Sequence, residues 1–345
     1  MGFCSVFSKV LRKSKYYFPI VLFLSVLAWM FIFPGETVKN NHVNSATPQP
    51  RIKDHQKDRL SVFTAAPTLL NVPTQTNECP KESPLLQGSV KLTFKSSLTL
   101  KDVENENKEM MEGEYEPPDC MARQSVAILI PHRNRERHLL YLLHHLHPFL
   151  QRQQLHYAIY VIHQAGDATF NRAKLLNVGY LEALKDYSWD CFIFHDVDLV
   201  PENDHNLYVC DKQPKHMVVG RNATGYKLRY KGYFGGVTAM TRDQFLDVNG
   251  FSNSYWGWGG EDDDLRIRVE LHKMKIVRPP ADVARYTMVF HKRDSGNQIN
   301  AGRMNLLRQV PQIWKKDGLN SCSYKTLLLD RTPLYVNVTV DIGKP

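Results

Sequence analysis

Val126-Ala127-Ile128-Leu129-Ile130 is a continuous apolar run, and its length is typical of a strand that is buried on both faces. Pro131 ends the run, and a helical pattern of apolar residues follows over residues 136–154. The sequence therefore places a buried strand directly before a long helix, which is the first half of a strand–helix–strand unit.

The same alternation continues along the chain. Residues 157–162 and 191–194 predict two further buried strands, and residues 173–185 predict a helix between them. Strands and helices that alternate at this spacing predict an α/β fold with a mostly parallel central sheet. Ligands bind at the carboxyl ends of the strands in such sheets, so we expect the functional site there.

The N-terminal region has the pattern of a membrane anchor. Residues 16–33 contain no charged side chain, and this is about the shortest run that spans a hydrocarbon core. Four basic residues precede the run and Glu36 follows it, which predicts a cytoplasmic N-terminus. A cleaved signal peptide has the same charge order, but bulky Trp29 to Phe33 and Pro34 occupy the place of a small-residue cleavage site. An uncleaved signal anchor is therefore favoured.

These observations divide the chain into four parts. We expect a cytoplasmic tail over residues 1–15, a transmembrane anchor over 16–33, a flexible luminal stem over 34–78 and a globular domain over 79–345. The stem is polar and interrupted by prolines, and it has no sustained apolar periodicity.

The chain is basic, with 44 Lys and Arg against 35 Asp and Glu and a formal net charge of +9. Such a balance suits nucleic acid, a membrane surface or anionic substrates such as nucleotide diphosphates. No dense basic tract with interleaved aromatic residues is present, so nucleic acid is the least favoured of the three.

The cysteines and two sequons bear on the compartment. Cys4 precedes the anchor, whereas Cys79, Cys120, Cys191, Cys210 and Cys322 would lie in an oxidising lumen. Five cysteines leave one unpaired, and their spacing alone does not decide the pairs. The sequons at Asn222 and Asn337 predict N-glycosylation and agree with a luminal domain.

A pair of carboxylates follows the strand at residues 191–194. Asp196 and Asp198 are two positions apart, so in an extended segment they share one face at the carboxyl end of the strand. Two such oxygen donors suit Mg²⁺ or Mn²⁺, which would hold and neutralise a diphosphate. A polar turn with ordinary aspartate chemistry is the competing interpretation.

The string Trp256-Gly257-Trp258-Gly259-Gly260-Glu261-Asp262-Asp263-Asp264 leads into a predicted helix. Acidic residues favour the first turn of a helix, but four consecutive carboxylates repel one another and exceed what capping requires. Indole faces stack on sugar rings, glycines allow close backbone approach, and a carboxylate can accept a proton from a sugar hydroxyl. The string therefore predicts a carbohydrate site.

Histidines and arginines give weaker signals. His291 could be a metal ligand, although a lone histidine is usually structural. His138, His144, His145 and His147 share one predicted helix, where a solvated face is the favoured interpretation. The arginines of Pro131-His132-Arg133-Asn134-Arg135 could grip a phosphate or a uracil edge, or they could be ordinary surface residues at a helix start.

Six motifs together resemble the β-1,4-galactosyltransferase family, which is glycosyltransferase family 7, and the likeness covers nearly all of residues 79–340. They lie at residues 131–135, 170–179, 195–199, 233–236, 256–264 and 288–291. The resemblance implies a GT-A-like fold in a Golgi membrane, in a single-pass type II topology with a luminal catalytic domain. It also implies an inverting, Mn²⁺-dependent transfer of galactose from UDP-galactose to O4 of terminal N-acetylglucosamine.

The resemblance carries roles onto individual positions. The residues implied to bind the donor are Pro131, His132, Arg133, Asn134, Arg135, Phe170, Asn171, Arg172, Asp196, Val197, Asp198, Tyr226, Tyr233, Trp258 and His291. Those implied to bind the acceptor are Gly260, Glu261, Asp262, Asp263, Arg303, Met304 and Leu307, with Asp262 as the general base. The implied Mn²⁺ ligands are Asp198, Met288 and His291, and the implied disulfides join Cys79 to Cys120 and Cys191 to Cys210.

Two of these positions bear on specificity. Tyr233 stands where the family distinguishes galactose from N-acetylgalactosamine, and tyrosine there implies galactose. Met304 departs from the aromatic residue that the best-known member has at this position, which leaves the acceptor (glycoprotein, glycolipid or keratan-type glycan, with or without 6-sulfation) open. The alternatives are an N-acetylgalactosaminyl- or xylose-directed transferase on the same scaffold, or a catalytically silent carbohydrate-binding membrane protein.

Overall fold

The computed structural model describes residues 77–292 and 294–345. The predicted tail, the predicted anchor and nearly all of the predicted stem lie outside these residues. Within the described part of the chain, no helix is both long enough and apolar enough to span a bilayer.

The described residues form six α-helices and eleven strands. The helices are α1 (Leu100–Glu106), α2 (Glu136–Arg152), α3 (Arg172–Asp186), α4 (Arg242–Asp247), α5 (Glu261–Leu271) and α6 (Arg303–Ile313). The strands are β1 (Glu114–Tyr115), β2 (Ser125–His132), β3 (His156–Gln164), β4 (Cys191–His195), β5 (Leu199–Pro201), β6 (Lys215–His216), β7 (Gly220–Arg221), β8 (Val237–Thr241), β9 (Arg285–Met288), β10 (Lys325–Arg331) and β11 (Val336–Asp341). The predicted elements at residues 126–194 are confirmed, each to within a few residues.

The large sheet has the strand order β10-β11-β3-β2-β4-β8-β6, and β1 also pairs with β3. Its centre is parallel, because β11, β3, β2 and β4 pair in register in the same direction. The remaining pairs are antiparallel. The sheet is therefore mixed, and the prediction of a mostly parallel sheet holds only for its centre.

Connection length explains the antiparallel edge at β10. Residues 332–335 alone join β10 to β11, which is too short for the crossover that parallel strands require. Between β4 and β8 the chain forms short strands and one 3₁₀ turn instead of a crossover α-helix, and β8 returns antiparallel to β4.

The core lies on both faces of the sheet. Val126, Ile128 and Ile130 pack on one face with the apolar side of α2, and Ala127 and Leu129 pack on the other face with α3. All five residues of this run are fully buried, as the continuous apolar pattern predicts. Burial on both faces fixes β2 firmly, so the carboxyl end of this strand is a rigid platform.

The histidines of α2 do not form a solvated face, and that prediction is wrong. His147 is fully buried, and its Nδ1 lies 2.9 Å from the Tyr157 hydroxyl. Burial lowers the pKa of His147 to about 3, so the ring is neutral. His138, His144 and His145 are half-buried. The histidines therefore belong to the packing of α2 against neighbouring segments.

A second sheet, β5-β9-β7, lies beside the carboxyl end of β4 in the chain. Leu199 pairs with Met288 in its register, and the Val289 amide donates to the Asp198 carbonyl over 2.8 Å. This small sheet brings the segment after β4 next to the segment after β9, which are far apart in sequence.

Both disulfides implied by the family resemblance are present. Cys79 is bonded to Cys120, and Cys191 at the start of β4 is bonded to Cys210. Among the described residues Cys322 is the free cysteine, and it is half-buried.

Candidate active site

A cavity of about 590 Å³ opens where β2 and β4 end, as the rule for α/β sheets predicts. Most of the predicted site residues line it. They are Pro131, Arg133, Arg135, Phe170, Arg172, Asp196, Val197, Asp198, Tyr233, Trp258, Gly260, Glu261, Asp262, Asp263, Met288, His291, Arg303, Met304 and Leu307. The cavity therefore brings together segments that are spread over more than half of the described chain.

Four predicted donor residues do not line this cavity. His132 alternates with Pro131 and Arg133 along the strand end, so its ring turns inward, where its Nδ1 lies 2.9 Å from Nδ1 of His163. Asn171 is fully buried, and its side chain caps α3 by accepting a hydrogen bond from the Lys174 amide over 2.9 Å. These two support the wall from behind.

Asn134 and Tyr226 are the other two. Both have positive φ angles, 54° and 57°, which is uncommon for residues other than glycine. The Tyr226 hydroxyl donates to Glu202 over 2.9 Å. The structure thus gives these residues roles in shaping loops, and it places neither on the cavity wall.

Asp198 and His291 meet at one side of the cavity. Asp198 lies in the turn between β4 and β5, and its Oδ2 is 3.1 Å from Nε2 of His291. The hydrogen bond to Asp198 raises the pKa of His291. Asp196 lies in the same turn, so the two aspartates reach the cavity from a turn and not from the extended segment that the sequence predicts.

Met288 lies at the end of β9 beside this pair. Its amide donates to Oδ1 of Asn222 over 2.9 Å, so the sequon residue also fixes the end of the strand. A carboxylate and an imidazole meet here, and both are ordinary ligands of Mn²⁺. The Met288 thioether lines the same cavity, 3.6 Å from Nη1 of Arg221. The donor set therefore fits a divalent cation.

Another acidic cluster lies away from the cavity. Among the described residues, the grouping of three carboxylate and imidazole donors is Glu114, Glu116 and His156. None of these three lines the cavity, and His156 is already hydrogen-bonded to Glu114 over 2.6 Å. This cluster has no part in the site.

Arg172 links two groups of acids. Its Nε lies 2.6 Å from Oδ1 of Asp196, and its Nη1 lies 3.2 Å from Oδ1 of Asp262. Glu261 is also near, at 3.8 Å. One guanidinium therefore holds the predicted general base Asp262 and the predicted donor-binding Asp196 in one network.

Burial changes the proton affinity of these acids. It raises the pKa of Asp196 to about 6 and that of Glu261 to about 8, while Arg172 opposes both changes. Burial also raises the pKa of Asp262, again against the effect of Arg172. A carboxylate with a raised pKa is a stronger base than an ordinary aspartate, which suits proton abstraction from a hydroxyl.

The four consecutive acids at the start of α5 separate into two groups. Glu261, Asp262 and Asp263 line the cavity, and Asp263 accepts a hydrogen bond from the Tyr230 hydroxyl over 3.0 Å. Asp264 is instead fully buried and pairs with Arg268 over 2.5 Å. Packing therefore accounts for Asp264, and the other three carboxylates face the site.

Two glycines are required because neighbouring groups lie close to their Cα atoms. A Cβ at Gly235 would lie 2.0 Å from Oδ2 of Asp262, so only glycine leaves room for the predicted base. A Cβ at Gly257, whose φ is +84°, would lie 2.5 Å from the Gln298 carbonyl.

Apart from Gly259, which belongs to the string of residues 256–264, five cavity residues are absent from the sequence prediction: Arg221, Arg229, Tyr230, Asp294 and Asn297. Arg221 and Arg229 lie near the Tyr233 ring, at 5.7 and 5.5 Å from its centroid. Asp294 pairs with Arg135, which is also 2.6 Å from Nδ1 of His291. The sequence gives little signal for these residues, except that Tyr230 lies three positions before Tyr233.

Comparison with known sequences agrees with this geometry. Residues 79–211 match the N-terminal region of glycosyl transferase group 7, and residues 215–292 match a domain described as the N-terminal domain of galactosyltransferase. The chain belongs to the β-1,4-galactosyltransferase family. The six motifs of the sequence therefore reflect membership, and each of them contributes residues to one cavity.

Two relatives show how close the likeness is. The chain is 69% identical to mouse β-1,4-galactosyltransferase 4 over 263 residues, which is 76% of each protein. It is 56% identical to human β-1,4-galactosyltransferase 4 over 347 residues, covering 99% of this chain and 98% of the human protein. Among the members of the family, the motifs at residues 195–199 and 288–291 favour β-1,4-galactosyltransferase 4. The two identities confirm the similarity to this paralogue.

A solved structure supports the GT-A-like fold. A mutant of Drosophila β1,4-galactosyltransferase 7 in complex with manganese, UDP-Gal and xylobiose superposes with a TM-score of 0.56 and 28% sequence identity. The match covers 64% of this chain and 95% of the fly chain. The galactosyltransferase fold of this chain is thus shown by structure as well as by sequence.

Proposed function

We propose that this galactosyltransferase moves galactose from UDP-galactose to O4 of a terminal N-acetylglucosamine, with inversion at the anomeric carbon. The observation that carries this proposal is that Asp262 and the Asp198/His291 pair line the same cavity. Arg172 connects Asp262 to Asp196, which lies in the same turn as Asp198. A base for the acceptor and a cation site for the leaving diphosphate are the two parts that the reaction needs.

The acceptor side begins with Asp262. Its carboxylate accepts the proton of the sugar hydroxyl while O4 forms a bond to C1 of galactose, and the bond from C1 to the diphosphate oxygen breaks. UDP leaves with the electron pair of that bond, on the face opposite the new bond. Arg172 holds the Asp262 carboxylate at the cavity, and the absence of a side chain at Gly235 leaves room for it.

Asp198, His291 and Met288 would hold Mn²⁺, which supplies positive charge to the diphosphate when it is bound. The basic groups of the same wall act on the donor directly. Arg135 reaches His291 and Asp294, and Arg133 lies over the Phe170 ring, 5.1 Å from its centroid. A cation against an aromatic face is a surface on which a uracil ring and its phosphates can bind.

Donor choice rests on Tyr233. The side chain is only 6% exposed, and its hydroxyl lies 3.3 Å from Nη2 of Arg221. A phenol fixed in this way leaves room for a hydroxyl at C2 of the sugar and crowds an N-acetyl group. This favours galactose over N-acetylgalactosamine.

Acceptor choice rests on the start of α6. Arg303, Met304 and Leu307 line the cavity on one face of this helix, which suits an N-acetyl group. Arg221 and Arg229 add two cations to the cavity wall, and these can pair with the sulfate of a 6-sulfated acceptor. Neutral N-glycan, glycolipid and keratan-type acceptors remain compatible with the same wall. Because the similar fly galactosyltransferase was solved in complex with xylobiose, xylose is the second candidate for the acceptor sugar.

The topology is part of the same proposal. We propose a cytoplasmic tail at residues 1–15, a Golgi membrane anchor at 16–33, a stem at 34–78 and a luminal catalytic domain at 79–345. The charge order around the apolar run supports it, and so do the two disulfides of an oxidising compartment. Of the two sequons Asn222 is the better glycan site, because Asn337 lies within β11 with its Oδ1 buried.

Transfer assays test the reaction. Full-length protein in detergent, given UDP-galactose, UDP-N-acetylgalactosamine and a panel of N-acetylglucosamine and xylose acceptors, should transfer galactose to N-acetylglucosamine only when Mn²⁺ is present. Transfer to xylose alone would favour the second candidate, and no transfer to any acceptor would contradict both. Protease digestion of sealed microsomes should spare residues after 34, and digestion from outside would contradict the topology.

A further inference from the structure

A second concavity, of about 640 Å³, shares α6 with the active-site cavity. Arg303, Met304 and Leu307 of this helix line the first cavity, whereas Asn305, Leu306 and Gln309 line the second. Residues at spacings of three and four lie on one face of a helix, so α6 separates the two spaces. We name the second space the amide groove, after its lining residues Trp256, Gln298, Asn300, Asn305, Leu306 and Gln309.

The chemistry of the amide groove is distinctive. None of its lining side chains is charged, although 23% of the residues of the chain are. Four primary amides supply hydrogen-bonding groups, although the Asn300 and Asn305 oxygens already accept from the Gly302 amide and from Arg308. Trp256, Ile299, Leu306 and Pro345 add apolar surface. A nucleotide would need cations, which this wall lacks. An uncharged ligand that combines hydroxyl groups with apolar ring faces, as a sugar does, matches amides and apolar side chains on one wall.

The amide groove is also joined to the active site through the backbone. The Trp258 amide donates to the Gln298 carbonyl over 2.8 Å, and the Asn300 amide donates to the Trp258 carbonyl over 3.0 Å. Trp258 lines the active-site cavity, so the segment that forms the groove is tied to the loop that faces the sugars.

We propose that the amide groove is a second saccharide subsite, which binds neutral sugar units of an acceptor glycan beyond its terminal N-acetylglucosamine. The inference rests on the proposed function, because it names the same acceptor and extends it. The amides of Gln298, Asn305 and Gln309 are exposed and bind sugar hydroxyls, and the half-buried Trp256 contributes indole surface to the wall against which a sugar face can pack. A longer neutral acceptor therefore binds more tightly than the monosaccharide.

Acceptor kinetics test the subsite. Full-length protein in detergent receives saturating UDP-galactose and Mn²⁺, with N-acetylglucosamine or its neutral β-1,4-linked tetramer as acceptor. Gln309→Ala and Gln298→Ala should each raise KM for the tetramer about two- to tenfold, the effect of one lost hydrogen bond, and leave kcat unchanged. KM for the monosaccharide should stay the same in both variants. Gln87→Ala removes an exposed glutamine outside the groove and should change neither KM.

Equal changes in KM for both acceptors, or no change for either, would overturn the subsite. A direct binding measurement separates this result from a failure of the proposed function. Isothermal titration of the tetramer into the full-length protein should show weaker binding to the Gln309→Ala variant even if no acceptor is galactosylated. Unchanged binding in that titration would again overturn the inference.

Discussion

The centre of the large sheet and the exposed segment of residues 288–292 and 294–309 both build the active-site cavity, but they differ sharply in burial. Val126 to Ile130 are fully buried, whereas Phe290 is 78% exposed and Met304 is 53% exposed. The sheet presents Pro131, Arg133 and the Asp196 turn from a scaffold fixed by packing on two faces. The exposed segment presents His291 and Arg303 through a few hydrogen bonds.

This difference predicts that substitutions in the sheet mainly change stability, whereas substitutions in the exposed segment mainly change substrate binding. A scaffold residue is surrounded by packed atoms, so changing it affects folding first. A residue of the exposed segment can change with little loss of stability and act on binding alone. The predictions below test that separation, from the largest expected effect to the smallest.

The largest effect is expected at Asp198, where the two regions meet. Asp198→Ala removes the carboxylate that faces His291, and it should abolish Mn²⁺-dependent transfer. His291→Ala, on the exposed segment, should instead raise the Mn²⁺ concentration that half-maximal transfer requires. Titration of Mn²⁺ in a transfer assay checks both variants, and near-normal activity of Asp198→Ala at micromolar Mn²⁺ would show that the metal site is misassigned.

Asp262→Asn should lower kcat/KM by roughly 10²–10⁴-fold, the range for loss of a general base. Because the base acts on the acceptor, activity with UDP-galactose and with UDP-N-acetylgalactosamine should fall alike. Circular dichroism of the variant should remain native, since the side chain faces the cavity. A fall for one donor only would mean that Asp262 binds the donor.

A pair of apolar truncations tests burial itself. Leu142→Ala, in the packed face of α2, should lower the free energy of unfolding by about 2–5 kcal/mol. Phe290→Ala should change it by no more than about 0.5 kcal/mol, because most of this side chain is exposed. Denaturant titration of both variants measures the difference, and similar losses would contradict the division into scaffold and adaptable segment.

Tyr233→Leu should change donor choice more than rate. It opens space at C2 of the sugar, so UDP-N-acetylgalactosamine should react, while loss of one hydrogen bond lowers galactose transfer about two- to tenfold. The measurement is the ratio of kcat/KM for the two donors, with Asp262→Asn as the control that leaves this ratio unchanged. An unaltered ratio in Tyr233→Leu would place donor specificity elsewhere.

The smallest effect concerns Asn222. Asn222→Asp and Asn222→Ala both remove the sequon, but only the aspartate keeps an oxygen that can accept from the Met288 amide. Asn222→Ala should weaken Mn²⁺ binding about two- to tenfold, and Asn222→Asp should preserve it. Electron paramagnetic resonance of free Mn²⁺ gives the affinity. Equal weakening in both variants would assign the effect to the glycan instead of the hydrogen bond.

Several parts of this protein were determined by its sequence alone. The apolar run at Val126 and the strands and helices that follow it require only local periodicity and burial on two faces, so they are predictable to within a few residues. The acidic string after Trp256 and the Asp196/Asp198 pair are recognisable because catalysis and metal binding need carboxylates at close spacing.

Only the tertiary structure decided the rest. The antiparallel edges of the sheet follow from connections whose path no local pattern encodes. Neither Asn134 nor Tyr226 lines the cavity in which the family resemblance places them. Asp294 enters the site by pairing with Arg135, and Arg221 lies beside the Met288 thioether, and in both cases the partner is distant in sequence. A side chain's role depends on what packs against it, and such contacts between distant segments exist only once the chain has folded.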